Sequence, residues 1–327
     1  MRSHLGLQAK ALDADENTTT RDRMIWMIDP GGDALSVRLR DGRSLSYADR
    51  GDPSGKPLLY FHGNPGSRLD WSGEDYERLI VDAGVRWVAI DRPGFGRSDF
   101  AAPTSPDQWA DDIAQLMDAL ELARAPILAF SRGSLFALGC AALIPDRVTG
   151  AGLLSPVAPG DWPGMVSSLR RDQRLGLSLF RRSERLGRAV MARPVARTLR
   201  SEAGTIRLLN RLLRSPLDHD LVKSHAADFW AGAQEAFRQG PAAYVSEART
   251  WADELSFDLA SVRTAVALWH GEEDRLIPVS HSQRLAERLP NARLHVIANE
   301  AHLHPPHVLA DIASDLVAPP KAASTTP

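Results

Sequence analysis

Three side chains of the sequence are of the types that together carry out nucleophilic catalysis: Ser131, Asp274 and His302. A serine hydroxyl becomes a good nucleophile when a histidine takes its proton, because the pKa of imidazole lies near neutrality. A carboxylate on the other ring nitrogen fixes the tautomer of that histidine and stabilises the imidazolium. The order Ser–Asp–His therefore indicates acyl transfer, provided that the fold brings three distant segments together.

Short apolar segments precede all three residues and predict the strands that must position them. Continuous apolar runs of this length favour strands buried on both faces, as in a parallel sheet. The predicted strands are "PLLYFHG", "VRWVAIDRPG", "PILAFS", "VTGAGLLSP", "TAVALWHG" and "ARLHVIA". Helical patterns lie between or after them, in "SGEDYERLIVDAG", "SPDQWADDIAQLMDALELA", "RGSLFALGCAALIPD", "SHSQRLAERLP" and "PHVLADIASDLVA". This alternation predicts a doubly wound α/β domain that binds its ligands at the carboxyl ends of the strands.

The remaining segments are arranged around this predicted core. "ALSVRLRDGRSLSYADRGD" predicts a hairpin at Asp41-Gly42, since this pair accepts the positive φ angles of a tight turn. Residues 157–255 show no strand pattern and predict a helical insertion. Their helical patterns are interrupted by Pro163, Pro194, Pro216 and Pro241. We expect a core at 33–156 and 256–318, a flexible arm at 1–32 and a disordered tail at 319–327.

The composition is that of an ordinary globular protein. The chain has 327 residues, a formal net charge of −2 and a hydrophobic fraction of 43%. Nucleic acid is not an expected partner, because binding phosphates needs a basic excess. Cys140 is the only cysteine, which excludes an intramolecular disulfide and fits a reducing compartment. The first residues lack the apolar core of a signal peptide, and no apolar stretch is long enough to span a bilayer. We therefore expect a cytoplasmic protein with a small-molecule substrate and no stable membrane insertion; the oligomeric state is left open.

Five motifs follow the predicted strands in order: "HGNPGS", "DRPGFGRSD", "AFSRGS", "HGEEDRLIP" and "NEAHL". Together they resemble the α/β-hydrolase fold superfamily, over roughly residues 34 to 318 and least in the insertion. The resemblance implies an α/β fold with an inserted helical cap. It also implies that Ser131 is the nucleophile on a strained strand-to-helix turn, His302 the base and Asp274 the acid. Ala129 and Ala301 stand where the family often has glycine, a change of one methyl group at each position.

An oxyanion hole is expected from two backbone N–H groups. One belongs to Arg132, at the start of a helix, where free donors and the helix dipole favour negative charge. The other belongs to Asn64, since Pro65 has no N–H. His62 is expected to shape this loop rather than to take part in the reaction.

Nearby residues compete for two of the three roles. His304 and His307 could replace His302 or form a metal site with it, but no matching carboxylate or cysteine cluster is apparent, and we expect no metal and no cofactor. Glu272 and Glu273 compete with Asp274, which the family pattern favours.

Arginines raise two further questions. The Arg132 side chain is expected either to pair with an acid or to bind a substrate carboxylate. Between Gly160 and Pro216 there are 13 arginines against 4 acidic residues, an excess of nine positive charges. This segment is interpreted as an amphipathic cap with its arginines in water, an anionic partner or membrane surface being the alternative.

The resemblance implies a cofactor-independent serine hydrolase of a small organic ester, lactone or related acyl compound. Amide hydrolysis, C–C cleavage and perhydrolysis stay open, because the fold does not decide between them. "HGNP" also resembles haloalkane dehalogenases, but those and the epoxide hydrolases of this fold need an aspartate nucleophile, so Ser131 argues against both. A different class of function is a ligand-binding or signalling protein with slow or no turnover.

Overall fold

An eight-stranded sheet, parallel except at one end, lies at the centre of the computed structural model. The structure describes residues 34–318 apart from 102–104, 252 and 254. The predicted arm at 1–32 and tail at 319–327 lie outside the described residues. The strands are β1 (Leu35–Arg38), β2 (Ser44–Gly51), β3 (Lys56–Phe61), β4 (Val85–Ile90), β5 (Ala125–Phe130), β6 (Val148–Leu154), β7 (Val266–Gly271) and β8 (Ala292–Ile297). Their order across the sheet is β1-β2-β4-β3-β5-β6-β7-β8.

The pairing of the strands brings the predicted motifs to one edge of the sheet. Strand β2 is antiparallel to β1 and β4, whereas β3 to β8 are all parallel. The predicted hairpin joins β1 to β2, and Gly42 takes the positive φ of its turn, 87°. Because β3, β5, β7 and β8 run in the same direction, the residues that follow them meet at their carboxyl ends.

Twelve α-helices are described, five of which alternate with the strands as predicted. These five are α1 (Glu74–Asp82), α2 (Pro106–Ala119), α3 (Gly133–Leu143), α11 (Ser280–Ala286) and α12 (Pro306–Val317). Successive side chains of β3 show why its apolar run is continuous. Leu58 and Tyr60 pack in the core with α1 and α12, and Leu59 and Phe61 pack in the core with α2, α3 and α11. The doubly wound α/β prediction is confirmed.

The strand β8 departs from the expectation that all six apolar segments are buried on both faces. It lies at the end of the sheet and pairs only with β7 among the described strands. Its side chains are partly or fully exposed, with Val296 49% exposed. An edge strand lacks one neighbour, so its apolar residues have less core to pack against.

Seven helices lie between β6 and β7, where the sequence predicts the insertion. They are α4 (Met165–Ser168), α5 (Arg171–Arg182), α6 (Glu184–Thr198), α7 (Glu202–Leu213), α8 (Pro216–Ser224), α9 (Ala226–Ala236) and α10 (Ala242–Thr250). Pro194 was expected to interrupt a helix, but it lies inside α6. Pro216 occupies the first turn of α8, where its missing N–H is tolerated. Of the apolar residues among the arginines, Leu177 and Phe180 are buried, and Leu175, Leu186 and Val190 are exposed.

Two buried ion pairs join the inserted helices to loops of the core. Arg68 pairs with Glu235 of α9 at 2.5 Å, and Arg92 pairs with Glu247 of α10 at 2.8 Å. An apolar cluster reinforces the contact where Leu135 of α3 packs with Leu177 and Trp251. The helices α9 and α10 are therefore held firmly against the ends of the strands. Among the described helices, none combines the length and apolar character that crossing a bilayer requires.

Candidate active site

Ser131 occupies a strained turn between β5 and α3. Its φ is 50°, a left-handed value that residues with a side chain rarely adopt. The backbone N–H of Ser131 donates to the carbonyl of Leu154 at 2.8 Å, which holds the turn against β6. The hydroxyl makes no hydrogen bond to another residue that the structure describes. Ser131 is 9% exposed and lines a cavity.

The glycine two residues after Ser131 permits the close approach of two loops. A Cβ atom at Gly133 would lie 2.6 Å from the carbonyl oxygen of Phe61 and 2.7 Å from that of His62. Both distances are shorter than real contacts, so only glycine fits without moving the backbone. Ala129, the departure from the family pattern on the other side, is buried in β5.

Asp274 and His302 follow β7 and β8 and form a hydrogen-bonded pair. The Nδ1 atom of His302 donates to Oδ2 of Asp274 at 2.7 Å. The other carboxylate oxygen of Asp274 accepts the backbone N–H groups of Leu276 at 2.8 Å and Ile277 at 2.9 Å. His270 lies 3.2 Å from Oδ2 of Asp274. With its hydrogen on Nδ1, the imidazole of His302 leaves Nε2 free as a base.

The charges of this pair stabilise each other. Burial opposes the ionised form of Asp274, but His302 and His270 outweigh it and hold the pKa of Asp274 well below its usual range. Burial likewise lowers the pKa of His302, and Asp274, with a contribution from Asp218, raises it above the ordinary value. Asp274 is thus ionised, and His302 is a stronger base than a free histidine.

The loop that carries His302 is fixed by contacts from both the core and the insertion. Asp218 of α8, 1% exposed, accepts the backbone N–H of Leu303 at 2.8 Å and that of His302 at 3.4 Å. The hydroxyl of Ser155 donates to the carbonyl of His302 at 2.9 Å and contacts Nε2 of His304 at 3.1 Å. Asp218 is a positioning residue, since it reaches His302 through the backbone.

Replacement of Asp218 by asparagine is expected to shift the acid limb of the kcat/KM–pH profile to lower pH. The negative charge of Asp218 raises the pKa of His302, so its removal lowers the pH below which the base is protonated. The amide oxygen of asparagine still accepts the N–H of Leu303. Asp220→Asn on the same helix is the matched control, because Asp220 is exposed. An unmoved limb in Asp218→Asn, or an equal shift in both variants, would contradict the role of Asp218.

The expected oxyanion loop lies beside Ser131. A Cβ atom at Gly63 would lie 3.5 Å from Cβ of Ser131, so the loop passes close to Ser131. No described residue accepts a hydrogen bond from the backbone N–H of Asn64 or of Arg132. Both residues line the cavity.

Two buried side chains hold the shape of this loop. The Nε2 atom of His62 accepts the backbone N–H of Arg92 at 3.0 Å, and its Nδ1 atom donates to the carbonyl of Gly63 at 2.7 Å. Burial and Arg92 lower the pKa of His62, which keeps it neutral. The guanidinium of Arg92 donates to the carbonyls of His62 and Gly63 while it pairs with Glu247. His62 therefore serves the loop, in line with the role expected for it.

The residues that could have replaced Asp274 or His302 lie in different surroundings. Glu272 and Glu273 are exposed, whereas Asp274 is buried. His304 is buried, and its Nε2 contacts Ser155 rather than the cavity, while His307 is exposed on α12. Burial and the neighbouring His302 and His270 lower the pKa of His304 to about 3. In the part of the chain that the structure describes, no cluster of three or more His, Cys, Asp or Glu is placed to hold a metal ion.

A cavity of about 600 Å³ lies between the strand ends and the inserted helices. Ser131 and His302 both line it, so the structure brings the predicted nucleophile and base to one space. Helices α5 to α7, α9 and α10 contribute most of the opposite wall, which is largely apolar. Representative lining residues are Leu177, Phe180, Met191, Leu209, Phe229 and Trp251. The site can therefore accept a small organic molecule.

Sequence reasoning missed several of the residues that hold this site. Asp218, Ser155 and Arg92 carry no local signal of their contacts, because their partners are distant in sequence or are backbone atoms. His270 lies 3.2 Å from the carboxylate of Asp274 and was not among the predicted site residues. Its position four residues before Asp274 is the one signal that indicates its contact with the carboxylate.

A family model described as alpha/beta hydrolase fold matches residues 56–304. The chain is 30% identical over 267 residues to a non-heme chloroperoxidase of Streptomyces lividans, which covers 79% of this chain and 89% of the relative. It is 26% identical over 261 residues to a 2-hydroxymuconate semialdehyde hydrolase of Pseudomonas sp. (strain CF600), which covers 76% of this chain and 81% of the relative.

Solved structures show the same fold. The esterase RhEst1 from Rhodococcus sp. ECU1013 superposes with a TM-score of 0.61 at 21% identity, over 87% of this chain and 97% of that chain. The enol-lactonase from Burkholderia xenovorans LB400 gives a TM-score of 0.64 at 16% identity, over 86% and 99%. With a matching family model over most of its length, the chain belongs to the α/β-hydrolase fold family.

Proposed function

We propose that this chain is a cofactor-independent serine hydrolase that cleaves a small organic ester or lactone. The observation that carries the proposal is the meeting, at one cavity, of a serine on a strained turn and a histidine paired with a buried carboxylate. The similarity to proteins named esterase and semialdehyde hydrolase supports hydrolysis as the reaction class.

The reaction begins with Ser131 Oγ attacking the substrate carbonyl while Nε2 of His302 takes the hydroxyl proton. The carbonyl oxygen becomes an oxyanion, which the backbone N–H groups of Asn64 and Arg132 stabilise. His302 then gives its proton to the departing alcohol oxygen, which leaves an acyl group on Ser131. Water attacks the acyl group with His302 again as the base, and the acid product and free Ser131 are released. Asp274 orients His302 and stabilises its charged form throughout.

The inserted helices have a part in this proposal. We assign residues 157–255 as a cap whose inner wall sets the size of the substrate, because helices α5 to α7, α9 and α10 supply much of the cavity lining. The cytoplasmic location stays a prediction from the sequence.

Assays with p-nitrophenyl esters of graded acyl length test the proposal. We expect hydrolysis with a preference for one range of acyl lengths, because the cavity has a limited volume. The matched anilides, assayed beside the esters, distinguish ester from amide hydrolysis. A folded protein that hydrolyses no ester and does not react with a fluorophosphonate would instead favour the binding or signalling function.

A further inference from the structure

The side chain of Arg132 is a cation at the cavity for which the described residues supply no counter-ion. Arg132 lines the same cavity as Ser131 and His302. Its guanidinium carbon lies 5.3 Å from the centre of the Trp251 ring. The guanidinium forms neither a hydrogen bond nor an ion pair with any residue in the described part of the chain. The pairing with an acid that the sequence left open is therefore not found among these residues.

Arg132 is partly buried, and no described residue neutralises its charge. Loss of solvent lowers the pKa of Arg132 to about 10, with Glu247 opposing the shift and Arg92 adding to it. The group is still positively charged at neutral pH. Buried charges are normally paired, because removing a charge from water is unfavourable unless a partner replaces the solvent. A cation placed in this way has hydrogen-bond donors ready for an anion that enters the cavity.

The nearby acidic side chain is already engaged. Both carboxylate oxygens of Glu247 accept hydrogen bonds from Arg92, at 2.8 and 2.9 Å. Asp172, another cavity residue, pairs with Arg170 and Arg214. Neither Glu247 nor Asp172 is therefore free to neutralise Arg132.

The remaining carboxyls of the cavity lie on a different wall. Asp70 approaches Gly232 of α9, and Asp228 of the same helix approaches Gly73. Arg132 instead faces α10 and the residue that follows it, Trp251. The cavity thus has an acidic side along α9 and a single cationic group along α10 beside the nucleophile, among its described residues.

We propose that Arg132 binds a carboxylate of the substrate, so that the natural substrate is a half-ester of a dicarboxylic acid or a carboxylated lactone. This inference rests on the proposed hydrolase function of the same site. The planar guanidinium presents paired N–H donors that match the two oxygens of a carboxylate. Trp251 lies against the guanidinium, whose N–H donors have no partner among the described residues. Since the backbone N–H of Arg132 is proposed to bind the oxyanion, we expect the carboxylate to lie only a few carbon atoms from the scissile carbonyl.

The test compares monomethyl and dimethyl esters of succinate, glutarate and adipate as matched charged and neutral substrates. The readout is the ratio of kcat/KM for the monoester to kcat/KM for the diester. We expect Arg132→Gln to lower this ratio by about 30- to 1,000-fold for the best chain length, because a desolvated carboxylate loses its partner. Arg132→Lys is expected to give an intermediate ratio, since it keeps the charge but not the fork. Arg181→Gln, which removes an exposed arginine of α5, is expected to keep the wild-type ratio.

Binding measurements separate the failure of this inference from the failure of the proposed function. Calorimetry with monomethyl and dimethyl glutarate on Ser131→Ala and on Ser131→Ala/Arg132→Gln needs no turnover. Selective loss of monoester binding in the double variant supports the carboxylate site even if no ester is hydrolysed. If esters are hydrolysed but the ratio and the monoester binding are unchanged by Arg132→Gln, the inference is overturned and the hydrolase function stands.

Discussion

Replacement of Ser131 by alanine is expected to lower kcat for ester hydrolysis by at least about 10⁴-fold and to abolish fluorophosphonate labelling. Without the hydroxyl there is no covalent route, and only substrate binding and the oxyanion donors still accelerate the reaction. The variant is expected to stay folded, because the hydroxyl makes no hydrogen bond to a described residue and alanine occupies less space. Steady-state kinetics, labelling followed by mass spectrometry and thermal unfolding check these three points.

Ser134→Ala is the matched control for this experiment. Ser134 lies in the first turn of α3, three residues after Ser131, is buried and does not line the cavity. Its loss is expected to leave both labelling and turnover in place. Near-wild-type hydrolysis by Ser131→Ala would remove Ser131 from the mechanism, whatever the control shows.

The second large effect is expected at His302, whose replacement by alanine should lower kcat by at least about 10³-fold. The base that accepts the serine proton and later protonates the leaving group is then missing. His304→Ala and His307→Ala are expected to lower kcat much less, because His304 contacts Ser155 and His307 is exposed. His304→Ala is also expected to lower the melting temperature, since it empties a buried position.

Equal losses of kcat in all three histidine variants would contradict this assignment. Such a result would point to a shared metal or structural cluster at His302, His304 and His307. Elemental analysis of the purified protein distinguishes those two explanations.

The sequence predicted the strands and the core helices because each has a local signal. A continuous apolar run, as in "PILAF", predicts a buried strand wherever it occurs, and each of the six runs forms a strand. The prediction that β8 is buried on both faces was wrong, because no local pattern shows where a strand lies in the sheet. Position at the end of the sheet depends on strand order, and strand order depends on the whole fold.

The residues of the candidate site likewise differ in whether a local signal identifies them. Ser131, Asp274 and His302 could be singled out because each follows a strand in a motif. Asp218 could not be, since it contacts a loop 84 residues further along the chain and lies in a helix without a motif. Pro194 is a second example. The tendency of proline to interrupt a helix is a local signal, but the helix α6 continues through this residue.

The acidic residues of the inserted helices have a consequence for protein engineering. Glu235, Glu247 and Asp218 each serve a group of the core, respectively Arg68, Arg92 and the backbone at His302. A chimera with an insertion from another enzyme would remove Glu247 from the buried Arg92 and Glu235 from Arg68, which keeps its pair with Asp91 of the core. Breaking a buried ion pair costs about 3–5 kcal/mol. Grafting the whole insertion is therefore a poor route to a new substrate range. Point changes at lining residues such as Met191 of α6 alter the cavity without removing these acidic contacts.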